Sequence, residues 1–110
     1  MSRFSRSAVM VAALLFGSGA AFTAQAADAA FCHQYASQAV IQFHTSLEHH
    51  RCGRMIVAQR IADRRSEADD AMRWSADLRH HYDWCRGVDP DKARSEGIGR
   101  QDILSACAHH

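Results

Sequence analysis

A chain of 110 residues with 13 Lys/Arg against 12 Asp/Glu is nearly electroneutral. Without a basic excess it lacks the electrostatic footprint of a nucleic-acid binder. Its four cysteines include no C-x-x-C and no C-x-x-C-H spacing, which excludes zinc ribbons, thioredoxin-like redox motifs and c-type haem attachment.

Residues 1–26, "MSRFSRSAVMVAALLFGSGAAFTAQA", have the layout of a secretory signal peptide. Arg3 and Arg6 form a positive n-region, Ala8 to Phe16 an apolar run, and Ala24-Gln25-Ala26 a small-x-small cleavage pattern. The run falls short of the roughly 20 apolar residues that span a bilayer, so no stable membrane insertion is expected after cleavage. Phe31 before Cys32 argues against a lipid anchor. The expected location is periplasmic or secreted. Setting residues 1–26 aside leaves 84 residues, 27–110, with eleven Lys/Arg and twelve Asp/Glu. That is a single domain near the lower limit for a self-sufficient core. Cys32, Cys52, Cys85 and Cys107 all fall within it, and an even count in a small exported chain reads as two disulfides.

Helical periodicity runs through the rest. Asp28 is a plausible N-cap, and Cys32, Tyr35, Ala36, Ala39, Phe43 and Leu47 form one apolar stripe, with Gln34, Gln38, Gln42 and Glu48 largely off it. Gly53 is a natural stop, giving a first helix over about 29–51. Arg54 to Arg86 contains neither glycine nor proline. One helix of that length would reach about 50 Å against a neighbour of about 30 Å, so a break is expected near Ser66, where "SEAD" resembles a capping box. The expectation is a short helix over about 55–64 and a long one over about 67–86. Gly87 ends the latter. Asp89 and Pro90 open a last helix over about 90–107, which Gly97 and Gly99 weaken by roughly 1 kcal/mol each. No strand pattern occurs. The fold class is an all-α, disulfide-stapled bundle of three long helices and one short helix.

Four cysteines permit three pairings. If the long helices run up, down and up, Cys32 and Cys85 share one end and Cys52 and Cys107 the other. Cys32–Cys85 with Cys52–Cys107 is therefore preferred, and the nested Cys32–Cys107 with Cys52–Cys85 comes next. Either crosslink of the preferred pair closes a loop of more than 50 residues, a stabilisation of about 4 kcal/mol in the chain-entropy model.

The densest segment is "RWSADLRHHYDWC", Arg73 to Cys85. On one continuous helix, Trp74, Leu78, Tyr82 and Cys85 form a packed face, and Asp77 and His81 are spaced i, i+4 for a hydrogen bond. Arg73 could hold Asp77 in turn, making a candidate polar cluster of Arg73, Asp77 and His81. Six of the eight histidines form adjacent pairs. The preferred disulfides would bring His49-His50 and His109-His110 to one end of the bundle, so these four are candidate ligands for Zn, Cu or Ni. Adjacent residues point about 100° apart on a helix, so each pair offers one good ligand. No G-x-S-x-G, phosphate-binding glycine loop or H-E-x-x-H appears. With its thiols oxidised, the chain offers no cysteine nucleophile, and neither enzymatic activity nor a cofactor is expected.

"CHQYASQAV", "CG" at Cys52-Gly53, "RWSADLRHHYDWC" and the final Cys107 together resemble the pattern of an uncharacterised family of small exported bacterial proteins, C-x-x-Y-A-x-x-A-V, C-G, R-W-x-x-D-x-x-x-H-x-x-W-C and a last C. Tyr35, Trp74, Asp77, His81 and Trp84 are the matching positions besides the cysteines. The chain departs from the pattern between Gly53 and Arg73, where a longer helical stretch replaces a short turn. The resemblance implies an exported helical domain and no activity. The leading expectation is thus a small non-enzymatic binding or interaction protein of the cell envelope, acting on an envelope protein or a small ligand. The alternative is a low-affinity transition-metal binder using the histidine pairs.

Overall fold

Side-chain caps set where most of the helices begin. In the computed structural model, which describes residues 27–108, four of the five helices start behind a side-chain oxygen that accepts a backbone N–H. Asp28 accepts from Phe31 at 2.8 Å and opens α1, Ala29–Leu47. Ser66 accepts from Asp69 at 3.0 Å and opens α3, Glu67–Arg73. Asp77 accepts from His80 at 3.1 Å and opens α4, Leu78–Arg86. Asp89 accepts from Lys92 at 2.9 Å and opens α5, Pro90–Cys107. Helix α2, His50–Ala62, starts behind His49 with no such bond. The described residues contain no strand. The candidate signal segment and His109-His110 lie outside them.

The all-α class holds, but the helix count rises from four to five. Helix α1 ends at Leu47 rather than near residue 51. In its last turns the Thr45 hydroxyl donates to the Ile41 carbonyl at 3.0 Å and Ser46 to the Phe43 carbonyl at 2.6 Å. Such bonds compete with the helical ladder. Cys52 therefore lies in the first turn of α2, and Gly53, expected to stop a helix, lies inside one. The break before Ser66 occurs as anticipated. Its cause is a Schellman turn, in which Arg65 N–H bonds to the Arg60 carbonyl and Arg64 N–H to the Ile61 carbonyl. Arg64 occupies the left-handed position at φ 58°.

The long helix expected over 67–86 is two helices. Trp74 leaves helical geometry at φ −109° and ψ 80°. The Ser75 hydroxyl then accepts from the Asp77 N–H at 2.9 Å, and Asp77 caps α4. Two short polar side chains thus satisfy the backbone groups that a continuous helix would have used.

Helix α1 packs against α2, α4 and α5, and α2 packs against α5. The disulfides are Cys32–Cys85 and Cys52–Cys107, the preferred pairing, even though Cys52 opens a helix instead of closing one. Each centres a small core. Cys32–Cys85 gathers Ala27, Tyr35 and Ala93, with Phe31, Tyr82, Trp84 and Val88 packed around them. Cys52–Cys107 gathers Trp74 and Leu104, with Phe43, Met55, Ile56 and Ile103. Apart from half-cystines and alanines, only Tyr35, Trp74 and Leu104 are buried apolar residues among those described. Burial this sparse leaves the crosslinks to supply much of the stability.

The crosslinks span 53 and 55 residues. Replacing either pair by serine should cost about 4 kcal/mol, read as a fall in the urea midpoint. Non-reducing peptide maps should show only the Cys32–Cys85 and Cys52–Cys107 links. A nested map, or a loss below about 1 kcal/mol, would contradict the role given to them.

Candidate functional site

Between the two disulfide-centred cores, along α1 and α5, lies a polar layer built on Arg100. This arginine is 1 % exposed. Its Nε donates to Gln42 Oε1 at 2.8 Å. Its guanidinium carbon stands 5.1 Å from the centre of the Tyr35 ring, within cation–π range. Its Nη1 lies 3.8 Å from Glu96 Oε2. Gln42, expected off the apolar stripe of α1, is instead 3 % exposed. Its amide Nε2 donates to the Gly97 carbonyl at 3.1 Å and to Gln101 Oε1 at 3.4 Å. A buried amide is tolerable because its oxygen and its nitrogen are both used.

Arg73 enters from the end of α3. Its Nε lies 3.1 Å from the same Glu96 oxygen, but the N–H is not aimed at that oxygen and makes no hydrogen bond. Gly99 admits this side chain. A Cβ at residue 99 would stand 2.5 Å from Arg73 Nη2, whereas at Gly97 nothing lies within 4 Å. Arg100 Nη2 is buried and has no hydrogen-bond partner among the described residues. Two guanidinium groups therefore converge on one carboxylate oxygen with donor capacity left over.

Both arginines line a cleft of about 310 Å³ onto which α1, α3, α4 and α5 converge. Tyr35, Met72 and Trp84 supply apolar wall, and His80, His81, Lys92 and Glu96 supply polar groups. The Tyr35 and Trp84 ring centres are 5.5 Å apart. His81 is buried, and its Nε2 donates to the Ser75 carbonyl at 2.9 Å, a carbonyl that the break at Ser75 exposes. Burial is the main force lowering the His81 pKa, opposed by the Ser75 hydrogen bond. Burial likewise raises the Tyr35 phenol, against the pull of Arg100. Arg100 also borders a second cavity of about 600 Å³, an open groove along α1 and α5 that includes Phe31, Ile41, Arg94 and Gly97.

The expected cluster of Arg73, Asp77 and His81 is divided. Arg73 and His81 line the cleft. Asp77 is exposed and serves as the α4 cap, so it neither bonds the His81 ring nor holds Arg73. The helix break at Trp74 to Asp77 removes the continuous face on which that expectation stood. Trp74 joins the Cys52–Cys107 core, Cys85 and Tyr82 join the other, and Leu78 is exposed. Of the candidate metal ligands, His49 and His50 open α2. The second disulfide brings that end to Cys107, while His109 and His110 lie outside the described residues. No group of three or more His, Cys, Asp or Glu side chains arranged for a metal ion occurs among the described residues. Sequence reasoning missed Gln42, Glu96 and Arg100. The available signal was the pair of glycines around them, since a helix containing Gly97 and Gly99 invites a close approach at one of the two.

No family model, curated protein or solved structure matches the chain.

Two outcomes follow from this geometry. Gly97→Ala should stabilise the protein by about 1 kcal/mol through helix propensity, while Gly99→Ala should gain nothing or lose stability because its methyl displaces Arg73. Equal gains in urea midpoint would refute the packing assigned to Gly99. The second concerns pH. With the folded His81 pKa below its ordinary value of 6.5, the unfolded chain binds the proton first, so the contribution is complete above that value and declines as pH falls below it. His81→Gln keeps a donor and removes the titration. Between about pH 7.5 and about pH 5.5 the wild type should lose more stability than the variant, and parallel curves would contradict the assignment.

Proposed function

We propose that the chain is a small exported binding protein of the cell envelope, without catalytic activity, and that the Arg73–Arg100 cleft is where it binds. The observation that carries this reading is Arg100, a buried residue that borders a ligand-sized cavity and keeps one buried nitrogen unpartnered among the described residues. Pockets of about 300 Å³ or more with apolar walls and few convergent polar groups suit small molecules. The four half-cystines are paired, which fits an oxidising compartment and takes thiol chemistry away from the site. No described helix is long and apolar enough to cross a membrane. A nucleophile paired with a base, the arrangement covalent catalysis needs, is not among the described contacts of the cleft.

The test is a titration of ¹⁵N-labelled, oxidised protein with fractionated periplasmic small molecules. Saturable shifts centred on the Trp84 indole, His80 and Arg73, with the bound compound recovered unchanged, are expected. Shifts that map elsewhere, the absence of saturation, or recovery of a converted compound would each defeat the reading.

A further inference from the structure

The charges of Arg73, Arg100 and Glu96, at the base of the cleft, do not balance. Arg73 and Arg100 share the single carboxylate of Glu96, both facing Oε2, at 3.1 Å and 3.8 Å. The other groups do not close the gap. Arg65 is paired with Asp63 at 2.9 Å and with Asp70 at 3.5 Å, and neither of those carboxylates lines the cleft. Lys92 and Asp69, both exposed, offset one another in sign. Burial lowers the His81 pKa and raises that of Tyr35, and both shifts favour the neutral side chain. Within the trio of Arg73, Arg100 and Glu96 one positive charge remains over, on groups largely removed from water. The donors without partners are Arg100 Nη2 and Arg73 Nε. A buried guanidinium N–H left unpaired costs more than a neutral one.

Resting on the binding role proposed above, we infer that the cleft takes a monoanionic carboxylate joined to an apolar or aromatic body. A guanidinium presents parallel donors that match a planar carboxylate, and both groups converge on one oxygen of the partly exposed Glu96, so a carboxylate that takes the place of Glu96 meets both. One excess charge calls for a monoanion rather than a phosphate dianion. Tyr35, Trp84 and Met72 then give the body of the ligand an apolar wall. Glu96 occupies part of the same donor set, so it competes with the ligand and sets how tightly the carboxylate is held.

The probes are benzoate and hexanoate, their neutral amides benzamide and hexanamide, and inorganic phosphate. Each is titrated into the full, oxidised chain while the Trp84 indole and arginine Nε–H resonances are followed. The carboxylates should saturate, with the amides and phosphate at least about tenfold weaker, as loss of a charge-assisted hydrogen bond implies. Arg73→Gln should weaken the carboxylates about tenfold, and Arg54→Gln, an exposed position of α2 outside the cleft, should leave them nearly unchanged. Should Arg73→Gln fail to fold, Glu96→Gln supplies a readout of opposite sign, because removing the competing carboxylate should tighten binding. A purely structural pair would give no such gain. Amides binding as well as carboxylates in the same cleft would overturn the carboxylate inference and leave the binding role standing. Phosphate binding as tightly as the carboxylates, or Glu96→Gln without a gain, would also overturn it. If no probe saturates, the inference fails, while the periplasmic fractions still decide the binding role by themselves.

Discussion

Arg100 is a charged side chain buried near the middle of α5, and the surrounding structure answers to it. Removing a guanidinium from water costs several kcal/mol unless partners replace the lost hydration. Here three helical positions do so. Gln42 brings an amide oxygen, Tyr35 a ring face, and Glu96 a carboxylate one turn back on the same helix. Those requirements fix the rotation of α1 against α5. Gln42 has to face inward, which turns Ile41 out to solvent and shifts the stripe that apolar periodicity alone would bury. The two cystine cores sit at either end of this layer and are too thin to fix that rotation by packing. The disulfides decide that the chain is folded, and the Arg100 contacts decide how α1 and α5 face each other.

The cleft follows from the same layer together with two local departures from regular helix. Ser75 and Asp77 interrupt the chain after Arg73, so Arg73 approaches α5 from one helix while His81 and Trp84 approach from the next. In a continuous helix the Ser75 carbonyl would be consumed by the ladder and His81 would lose its acceptor. Gly99 is the second departure. By omitting a Cβ it opens the surface of α5 beneath the Arg73 guanidinium. Segments that read as weaknesses by propensity therefore place a second cation beside the first.

Periodicity, caps and cysteine count were sufficient for the helical class, for the starts at Asp28, Ser66 and Asp89, and for the end-to-end logic of the disulfides. They failed where a polar side chain had a choice of partner. Gln42 reads as a surface residue because nothing within ten residues explains its burial; its partner lies 58 positions away. Thr45, Ser46, Ser75 and Asp77 are unremarkable in a helical window, yet their hydroxyl and carboxylate groups bond to nearby backbone and end two helices early. The Arg73, Asp77 and His81 cluster failed for that reason. The i, i+4 spacing is a property of a helix, and Asp77 itself prevents the helix by capping the next one.

Arginine at residue 100 is difficult to explain by stability. Buried ion pairs can often be replaced by well-packed apolar residues at no loss, and sometimes with a gain. This chain exposes Ile41, Leu47, Ile61 and Ile98, so apolar residues are not scarce in it, and its cores are thin enough to benefit from one more. A leucine at residue 100 would enlarge the core and release Gln42 from burial. The arrangement found instead retains a guanidinium, spends an amide and a ring face on holding it, admits a second guanidinium through a glycine, and gives the two a single carboxylate. Packing accounts for none of those choices together. An anion-binding cleft accounts for all of them, because it needs a rigidly held cation, a neighbouring cation and an incomplete counter-charge.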